Sequence, residues 1–343
     1  MFISLKHLET WRKLCDDEHS YKECVGMVTI KDVAKASGYS ISTVSYALND
    51  TGNIPQKTKD KIWNIANKLK YYPNAAARNL KNRKTMNIGF FVSGFSGPVY
   101  HKIYDGIAQG LEGSDYNLIV SFSKNAKKMI TERQIDAAII LCPAVEDKVI
   151  KIAQNLGMPT ILLDRDHPGG NHVYTNVLNS YEGAKIATQH LINHGRKKIA
   201  YLSGILGSHE DMQRFQGYIE VIEAYGMNQM VFFGDFTEKS GLEIIQKLDG
   251  NIPFDGIFCA NDEMAIGLIK GLQAIGKKIP EDISVIGFDD VDVSQYICGG
   301  LSTISINYES WGISVAKDMV SILSGKEVEK EQIVPVRLVP RNT

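Results

Sequence analysis

Apolar residues along this chain follow two kinds of pattern, and the change between them falls near residue 86. From Ile30 to Leu69 they recur at helical spacing: Ile30, Val33 and Ala34, then Ile41, Val44 and Leu48, then Ile62, Ile65, Ala66 and Leu69. Thr29 followed by Asp32 predicts a helix start at Ile30, because the hydroxyl can take the third free amide while the carboxylate returns to the cap amide. Gly38 predicts a tight turn, Ser40 a second cap, and Pro55 the start of a third helix. Two short helices about a small turn, closed over by a third, make a helix-turn-helix. The outer face of the second helix carries Ser42, Thr43, Ser45, Tyr46 and Asn49, whose short or flat donors and acceptors suit base edges and phosphates in a major groove.

From Met86 the pattern turns to apolar runs alternating with amphipathic stretches. Residues 87–92, 117–122, 137–141 and 160–163 read as buried parallel strands, with helical segments such as 104–111 and 148–156 between them. A second series repeats the first at 198–202, 231–233, 256–260 and 283–287. Two doubly wound α/β lobes follow, with room for a small ligand at the carboxyl ends of their strands. The loops there carry Asn261, Asp262, Asp289 and Asp290, and Arg214 lies at a helix start reading Met212 to Tyr218. Carboxylates, an amide and a guanidinium beside aromatic rings fit a polyhydroxylated ligand, since each hydroxyl both donates and accepts. Asp262 and Asp290 read equally well as caps of the helix or turn that follows them.

Between the two patterns, Pro73 ends the third helix, Asn74 is a cap, and residues 75–80 make about two helical turns, a length marginal in isolation. Such a helix needs a partner, and the natural one is the same segment of a second copy. Charge strengthens the division. Residues 27–85 hold 11 Lys or Arg against 3 Asp or Glu, whereas residues 86–343 hold 23 against 31, so the overall −1 conceals a basic head on an acidic body. On a DNA-reading fold that excess supplies sequence-independent affinity through counterion release.

Composition narrows the remaining classes. A chain of 343 residues at 44% apolar can bury more than one core. No stretch approaches the ~20 apolar residues of a membrane span, and the first 26 residues, with Glu9, Arg12, Lys13, Asp16, Asp17 and Glu18, have no apolar signal core. The expectation is a cytoplasmic protein with no membrane partner. Cys15, Cys24, Cys142, Cys259 and Cys298 stand far apart, which predicts free thiols. An enzyme on a dinucleotide fold would need a G-x-G-x-x-G turn that Ser93 to Gly97 lacks, and no G-x-x-x-x-G-K-[ST] occurs. His190 and His194 share a helix face without the Glu of a zinc motif and read as surface residues. No catalytic residue, cofactor or metal is predicted.

The order of residues resembles a known family. Val28-Thr-Ile-Lys-Asp-Val-Ala34, Ser42-Thr-Val-Ser45, Ala47-Leu-Asn49 and Tyr72-Pro-Asn-Ala-Ala-Ala-Arg78 are similar to the head of the lactose/galactose repressor (LacI/GalR) family of bacterial regulators, and the loops holding Arg214, Asn261 and Asp289 are similar to its effector lobe. The resemblance implies a helix-turn-helix head, a hinge helix, and two lobes like those of periplasmic binding proteins. It implies domains at 27–73 for the head, 74–85 for the hinge and 86–343 for effector binding and dimerisation, the first lobe spanning about 86–177 and 306–325 and the second about 178–305 and 326–343. Residues 1–26 then stand upstream of the usual start, as an extension expected to add nothing to function. It implies DNA contacts from Thr29, Ile41, Ser42, Thr43, Ser45, Tyr46 and Asn49, and, in a minor groove, from Asn74, Ala77, Arg78 and Leu80, with Leu80 as the wedge between base pairs. For the effector it implies Arg214, Asn261 and Asp289, to which Tyr100, as a stacking platform, and Asp164 or Arg165 are added from the first lobe.

Departures from the family pattern bear on both sites. Gly97-Pro-Val-Tyr100 stands where Asn-Pro-Phe-Phe is usual, and Asn179-Ser180 where Asp-Asn is usual. Tyr46 replaces the arginine common after Thr-Val-Ser, and tyrosine cannot read guanine bidentately as arginine does. The function expected is that of a homodimeric repressor of sugar-utilisation genes, released from a palindromic operator by a sugar or sugar phosphate. With no leucine-heptad tail after Val339, a dimer is expected and not a tetramer. The other readings are a catabolite-type regulator governed by a phosphocarrier protein, a cytoplasmic sugar-binding protein, or an enzyme.

Overall fold

The computed structural model describes residues 28–73, 84–94, 97–141, 143–165, 167 and 169–343. It separates into two compact units that divide between Arg83 and Lys84.

In the first unit, helices α1 (Ile30–Ser37), α2 (Ile41–Leu48) and α3 (Gln56–Lys68) follow one another. The Asp32 carboxylate accepts from the Thr29 amide at 2.8 Å and from the Thr29 hydroxyl at 2.7 Å, which fixes the start of α1. Gly38 closes that helix at φ 75°, a conformation glycine adopts without steric cost. The Ser40 hydroxyl accepts from the Thr43 amide at 3.1 Å and starts α2. Val33, Val44, Ala47, Leu48, Ile62 and Ala66 form the core, with Ile30, Ile65 and Leu69 packed at its edge. Ile41, which shares the helical spacing of Val44 and Leu48, is 46% exposed, so the core begins only at Val44.

The second unit holds two six-stranded sheets. The first is all parallel in the order β11-β5-β4-β3-β1-β2, built from β1 (Asn87–Val92), β2 (Asn117–Phe122), β3 (Ala137–Leu141), β4 (Thr160–Leu163), β5 (Val173–Leu178) and β11 (Glu331–Val334). The second runs β12-β10-β9-β8-β6-β7, from β6 (Ile199–Ser203), β7 (Val231–Phe233), β8 (Gly256–Cys259), β9 (Ser284–Asp289), β10 (Ser302–Ser305) and β12 (Arg337–Val339), with only β10–β12 antiparallel. Continuous apolar runs such as Ala137–Leu141 are buried along their whole length, as strands covered on both faces must be. Among the helices, α4 (Tyr100–Gly110), α7 (Ser180–Asn193), α8 (His209–Ala224), α10 (Asp262–Ala274) and α11 (Tyr308–Leu323) carry or flank the site; α5 (Ala126–Thr131), α6 (Asp147–Asn155) and α9 (Glu238–Leu248) complete the layers. Among the described residues no helix is long and apolar enough to cross a membrane.

Four strands were not legible as apolar runs. β5 mixes Thr175 and Asn176 with its apolar residues, β10 is Ser-Thr-Ile-Ser, and β11 and β12 are short edge strands. Their placement also changes the expected path of the chain. The sequence places residues 326–343 wholly in the second lobe, yet Glu331–Val334 pairs in parallel with Thr175–Leu178 of the first sheet. The chain returns to the second sheet only with Arg337–Val339. The pattern of a four-residue edge strand does not encode which sheet it extends.

Candidate ligand cleft and nucleic-acid face

A cavity of about 230 Å³ opens where the carboxyl ends of the two sheets face each other. The first lobe contributes Tyr100, Leu141, Asp164 and the residues of α11, Tyr308 and Trp311; the second contributes Glu210, Arg214, Phe236, Asn261, Glu263 and Asp289. Tyr100, Asp164, Arg214, Asn261 and Asp289, far apart in sequence, thus line one space.

Arg214 is 4% exposed. Its Nη1 donates to the Ala260 carbonyl at 2.5 Å, its guanidinium carbon lies 3.8 Å from the Phe288 ring centre, and Nη2 comes within 3.9 Å of Asp289. Nε is buried without a hydrogen-bond partner among the described residues. Burial disfavours the charge, but Asp289, Tyr308, Glu210 and Asp164 outweigh it and hold the group firmly protonated. Asp289 takes φ 110°, a conformation rare outside glycine and typical of residues held in place by their surroundings. It accepts from the Tyr308 hydroxyl at 2.7 Å, and burial raises its pKa against the opposing effect of Arg214.

Asp164 sits just past β4 at φ 48° and accepts from the Leu178 amide at 3.2 Å. Burial, then the charge of Glu210, push its pKa up to about 6, with Arg214 and His209 opposing. Asn261 caps α10, accepting from the Met264 amide at 3.0 Å, while its amide nitrogen donates to the Phe236 carbonyl at 2.9 Å. Asn261 therefore shapes the wall as well as facing the cavity. Tyr100 rests on Gly97, where a Cβ would meet its ring at 2.8 Å and where φ is 122°, so this turn requires glycine.

Other expected contributors lie elsewhere. Arg165 turns away from the cleft, with its guanidinium hydrogen-bonded to the Val145 carbonyl and Asp147. Asp262 neither caps a helix nor faces the cavity. It is fully buried and accepts from the Val291 amide at 2.9 Å, the Ser294 hydroxyl at 2.6 Å and the Thr303 hydroxyl at 2.6 Å, tying α10 to β10 and the loop after β9. Asp290 pairs with Arg341 at 2.6 Å.

Glu210, Phe236, Glu263, Tyr308 and Trp311 also line the cavity and are not among the residues the sequence marks for the site. Only one sequence signal bore on them: Ser208 followed by Asp211 has capping-box spacing and starts α8 at His209, one turn before Arg214. Asp211, 3% exposed, then accepts from Tyr201 at 2.6 Å, Gly204 at 2.7 Å and Ser203 at 2.8 Å, and so clamps the start of α8 to β6. That clamp sets where Glu210 and Arg214 stand.

In the head, Ile41, Ser42 and Tyr46 are exposed on one face of α2, with Thr43, Ser45 and Asn49 half-buried beside them. The Thr43 hydroxyl lies 2.8 Å from Ser40, Asn49 donates to the Ser45 carbonyl at 2.8 Å, and the Tyr46 ring lies against Gly52. Thr29 spends its hydroxyl proton on Asp32. Not every lysine of the head is free: Lys59 pairs with Asp50, and Lys61 sits 5.1 Å from the centre of the Tyr39 ring. Asn74, Ala77, Arg78 and Leu80 lie outside the described residues.

A small three-helix head bearing an exposed polar face, attached to a two-lobed body with a polar cleft, defines a DNA-binding regulator with a ligand-binding body. Comparison with known proteins gives the particular group. Residues 29–74 match bacterial regulatory proteins of the lacI family, and residues 188–343 match a periplasmic binding protein-like domain. The chain is 33% identical over 319 residues to a probable HTH-type transcriptional repressor, ExuR, of Bacillus subtilis, covering 90% of this chain and 95% of that one. It is 30% identical over 322 residues to the HTH-type transcriptional repressor PurR of Mannheimia succiniciproducens, covering 90% and 95%. Among solved structures, the lac repressor dimer bound to operator and the anti-inducer ONPF matches with a TM-score of 0.82 at 25% identity, over 93% of this chain and 99% of that one. A sugar-binding transcriptional regulator from Enterococcus faecalis matches with a TM-score of 0.68 at 30% identity, over 75% and 97%. The chain belongs to the LacI family of bacterial transcriptional regulators, and its relatives are regulators and not enzymes.

Proposed function

We propose that this regulator is a cytoplasmic homodimeric repressor that holds a palindromic operator until a small sugar enters the cleft. The observation that carries this reading is the convergence of Asp164, Arg214, Asn261 and Asp289 from two lobes on one cavity bounded by aromatic rings. Such a site offers acceptors, a donor and apolar faces together, which matches the alternating hydroxyls and C–H faces of a sugar. Ile41, Ser42 and Tyr46 would meet bases, with Thr29, Thr43, Ser45 and Asn49 on or near phosphates. Residues 27–73 would form the head and 74–85 a hinge that pairs with its copy, Asn74, Ala77 and Arg78 touching the minor groove and Leu80 wedging into it.

Linking two heads through one dimeric body makes the second contact intramolecular and raises avidity by ~10² to 10⁴. A ligand that closes the lobes would move the hinges out of pairing and remove that advantage. The coupling between the sites is expected at ~1–3 kcal/mol and is reciprocal, so operator DNA weakens sugar binding by the same factor.

The test is selection of sites from a randomised duplex pool by the full chain, with and without mono- and disaccharides and their phosphates. A palindromic site released by a sugar supports the reading. A folded dimer that selects no site refutes it.

A further inference from the structure

We propose that the cleft admits an uncharged, hydroxyl-rich sugar and discriminates against sugars bearing a phosphate or carboxylate, with Glu210 setting much of that discrimination. The inference deepens the reading of the cleft as a sugar site and rests on it. Among the described residues four carboxylates line the cavity, Asp164 from the first lobe and Glu210, Glu263 and Asp289 from the second, and they face one guanidinium, that of Arg214. A bound anion would have to be neutralised by that one group.

Arg214 is poorly placed to do so. Anion recognition by arginine uses two parallel N–H donors as a fork. Here Nη1 already directs one N–H to the Ala260 carbonyl and Nη2 lies 3.9 Å from the Asp289 carboxylate, so the guanidinium charge is set against a carboxylate before any ligand enters. A phosphate or carboxylate would have to compete with Asp289 for that charge, whereas a neutral hydroxyl or ring oxygen needs only one N–H, such as the buried Nε that has no partner among the described residues. His209, beside Glu210, is the other basic group whose effect on Asp164 opposes that of burial.

The carboxylates, by contrast, are short of donors. Among the described residues Asp164 accepts one hydrogen bond, from a backbone amide, and Asp289 one, from a tyrosine hydroxyl, with Arg214 3.9 Å away. Each keeps acceptor capacity for ligand hydroxyls. Burial holds both Asp164 and Asp289 above their ordinary carboxylate range, which already reports an environment hostile to added negative charge. Glu210 stands across the cleft from Asp164 on the clamped first turn of α8 and is half-buried, so it can confront a ligand anion without being displaced. Glu263 adds to the same field from the first turn of α10.

The experiment is calorimetric titration of the full chain at pH 7.5 with matched trios: a neutral pentose or hexose, its terminal phosphate and its uronic acid. The neutral member should bind at least tenfold more tightly than either acid, and Glu210→Gln should narrow that gap severalfold by improving the acids. Glu263→Gln should act in the same direction, which keeps the test valid if one variant folds poorly. A phosphate or uronate that binds as tightly as its neutral parent overturns this inference while leaving the sugar site standing. An unchanged ratio in both variants overturns the role given to the glutamates. Binding by no member of any trio overturns the sugar reading itself, and this inference with it.

Discussion

The two walls of the cleft are made differently. The second-lobe wall is braced from behind: Asp211 clamps the start of α8, Asn261 caps α10 while holding the Phe236 carbonyl, and Asp262 ties α10 to β10 and the loop after β9. The first-lobe wall is braced at Trp311, whose Nε1 donates to Asn176 at 3.0 Å, and is lighter at its polar edge, where Asp164 takes one backbone amide and Tyr100 rests on Gly97. A preorganised wall contributes affinity because its groups lose little freedom on binding. This lighter edge also carries Gly97-Pro-Val-Tyr100, where the sequence departs from the family pattern.

The largest test of this contrast is the brace itself. Asp262→Ala leaves an amide and two hydroxyls without their acceptor in a dry site, and at ~1–3 kcal/mol each the body should lose roughly 3 kcal/mol or more in urea unfolding. A loss below about 1 kcal/mol would mean that Asp262 braces nothing. Gly287→Ala should act in the same direction, because its methyl would lie 2.0 Å from the Asp262 carboxylate.

The same carboxyl predicts a pH dependence. Burial and the charge of Asp289 outweigh its three hydrogen bonds and push Asp262 up to about 7, and Asp164 stands at about 6, against 3.8 for a free Asp. The folded body therefore keeps protons that the unfolded chain releases, so stability falls as pH rises from about 4 toward 7. Asp262→Asn should flatten that slope in denaturation curves taken across the interval; an unchanged slope would place the titration elsewhere.

On ligand affinity the walls should separate clearly. Arg214→Ala removes the charged group of the braced wall and should weaken effector binding by ~100-fold, since truncating one member of a buried charge pair costs about 2–5 kcal/mol. Asp164→Asn keeps the shape of the lighter wall and should cost ~5-fold, near 1 kcal/mol. Equal losses, measured by calorimetry, would erase the distinction drawn between the walls. The smallest effect expected is from Tyr308→Phe, which deletes the hydroxyl on Asp289 and should cost ~2- to 5-fold in affinity with the fold intact.

Much of the site was legible in sequence because its residues follow strands. Asn261 and Asp289 stand at the ends of apolar runs, where an α/β sheet presents its ligand groups. Asp164, just past β4, is legible for the same reason. Arg165, one residue on, is equally eligible by position, yet its side chain is held by the Val145 carbonyl and Asp147. Tyr308 and Trp311 lie beyond a strand of serine and threonine that gave no apolar signal, and they reach the cleft because α11 packs along α4. Glu210 and Glu263 looked like ordinary acidic residues in the first turns of helices, where negative charge is favoured by the helix dipole.

Taken alone, the amino-acid order determined the three helices of the head, the runs that became the central strands, the basic head on an acidic body, and the family. Each of these is written locally, in the period of apolar residues, in caps and turns, or in a contiguous motif. The tertiary structure decided which carboxylates meet across the cleft, which of two adjacent residues faces it, and which sheet receives the strand Glu331–Val334. Those outcomes depend on contacts between residues from 18 to 156 positions apart, whose pairing is selected by packing of whole elements and by burial of their polar groups, and no short stretch of sequence carries that information.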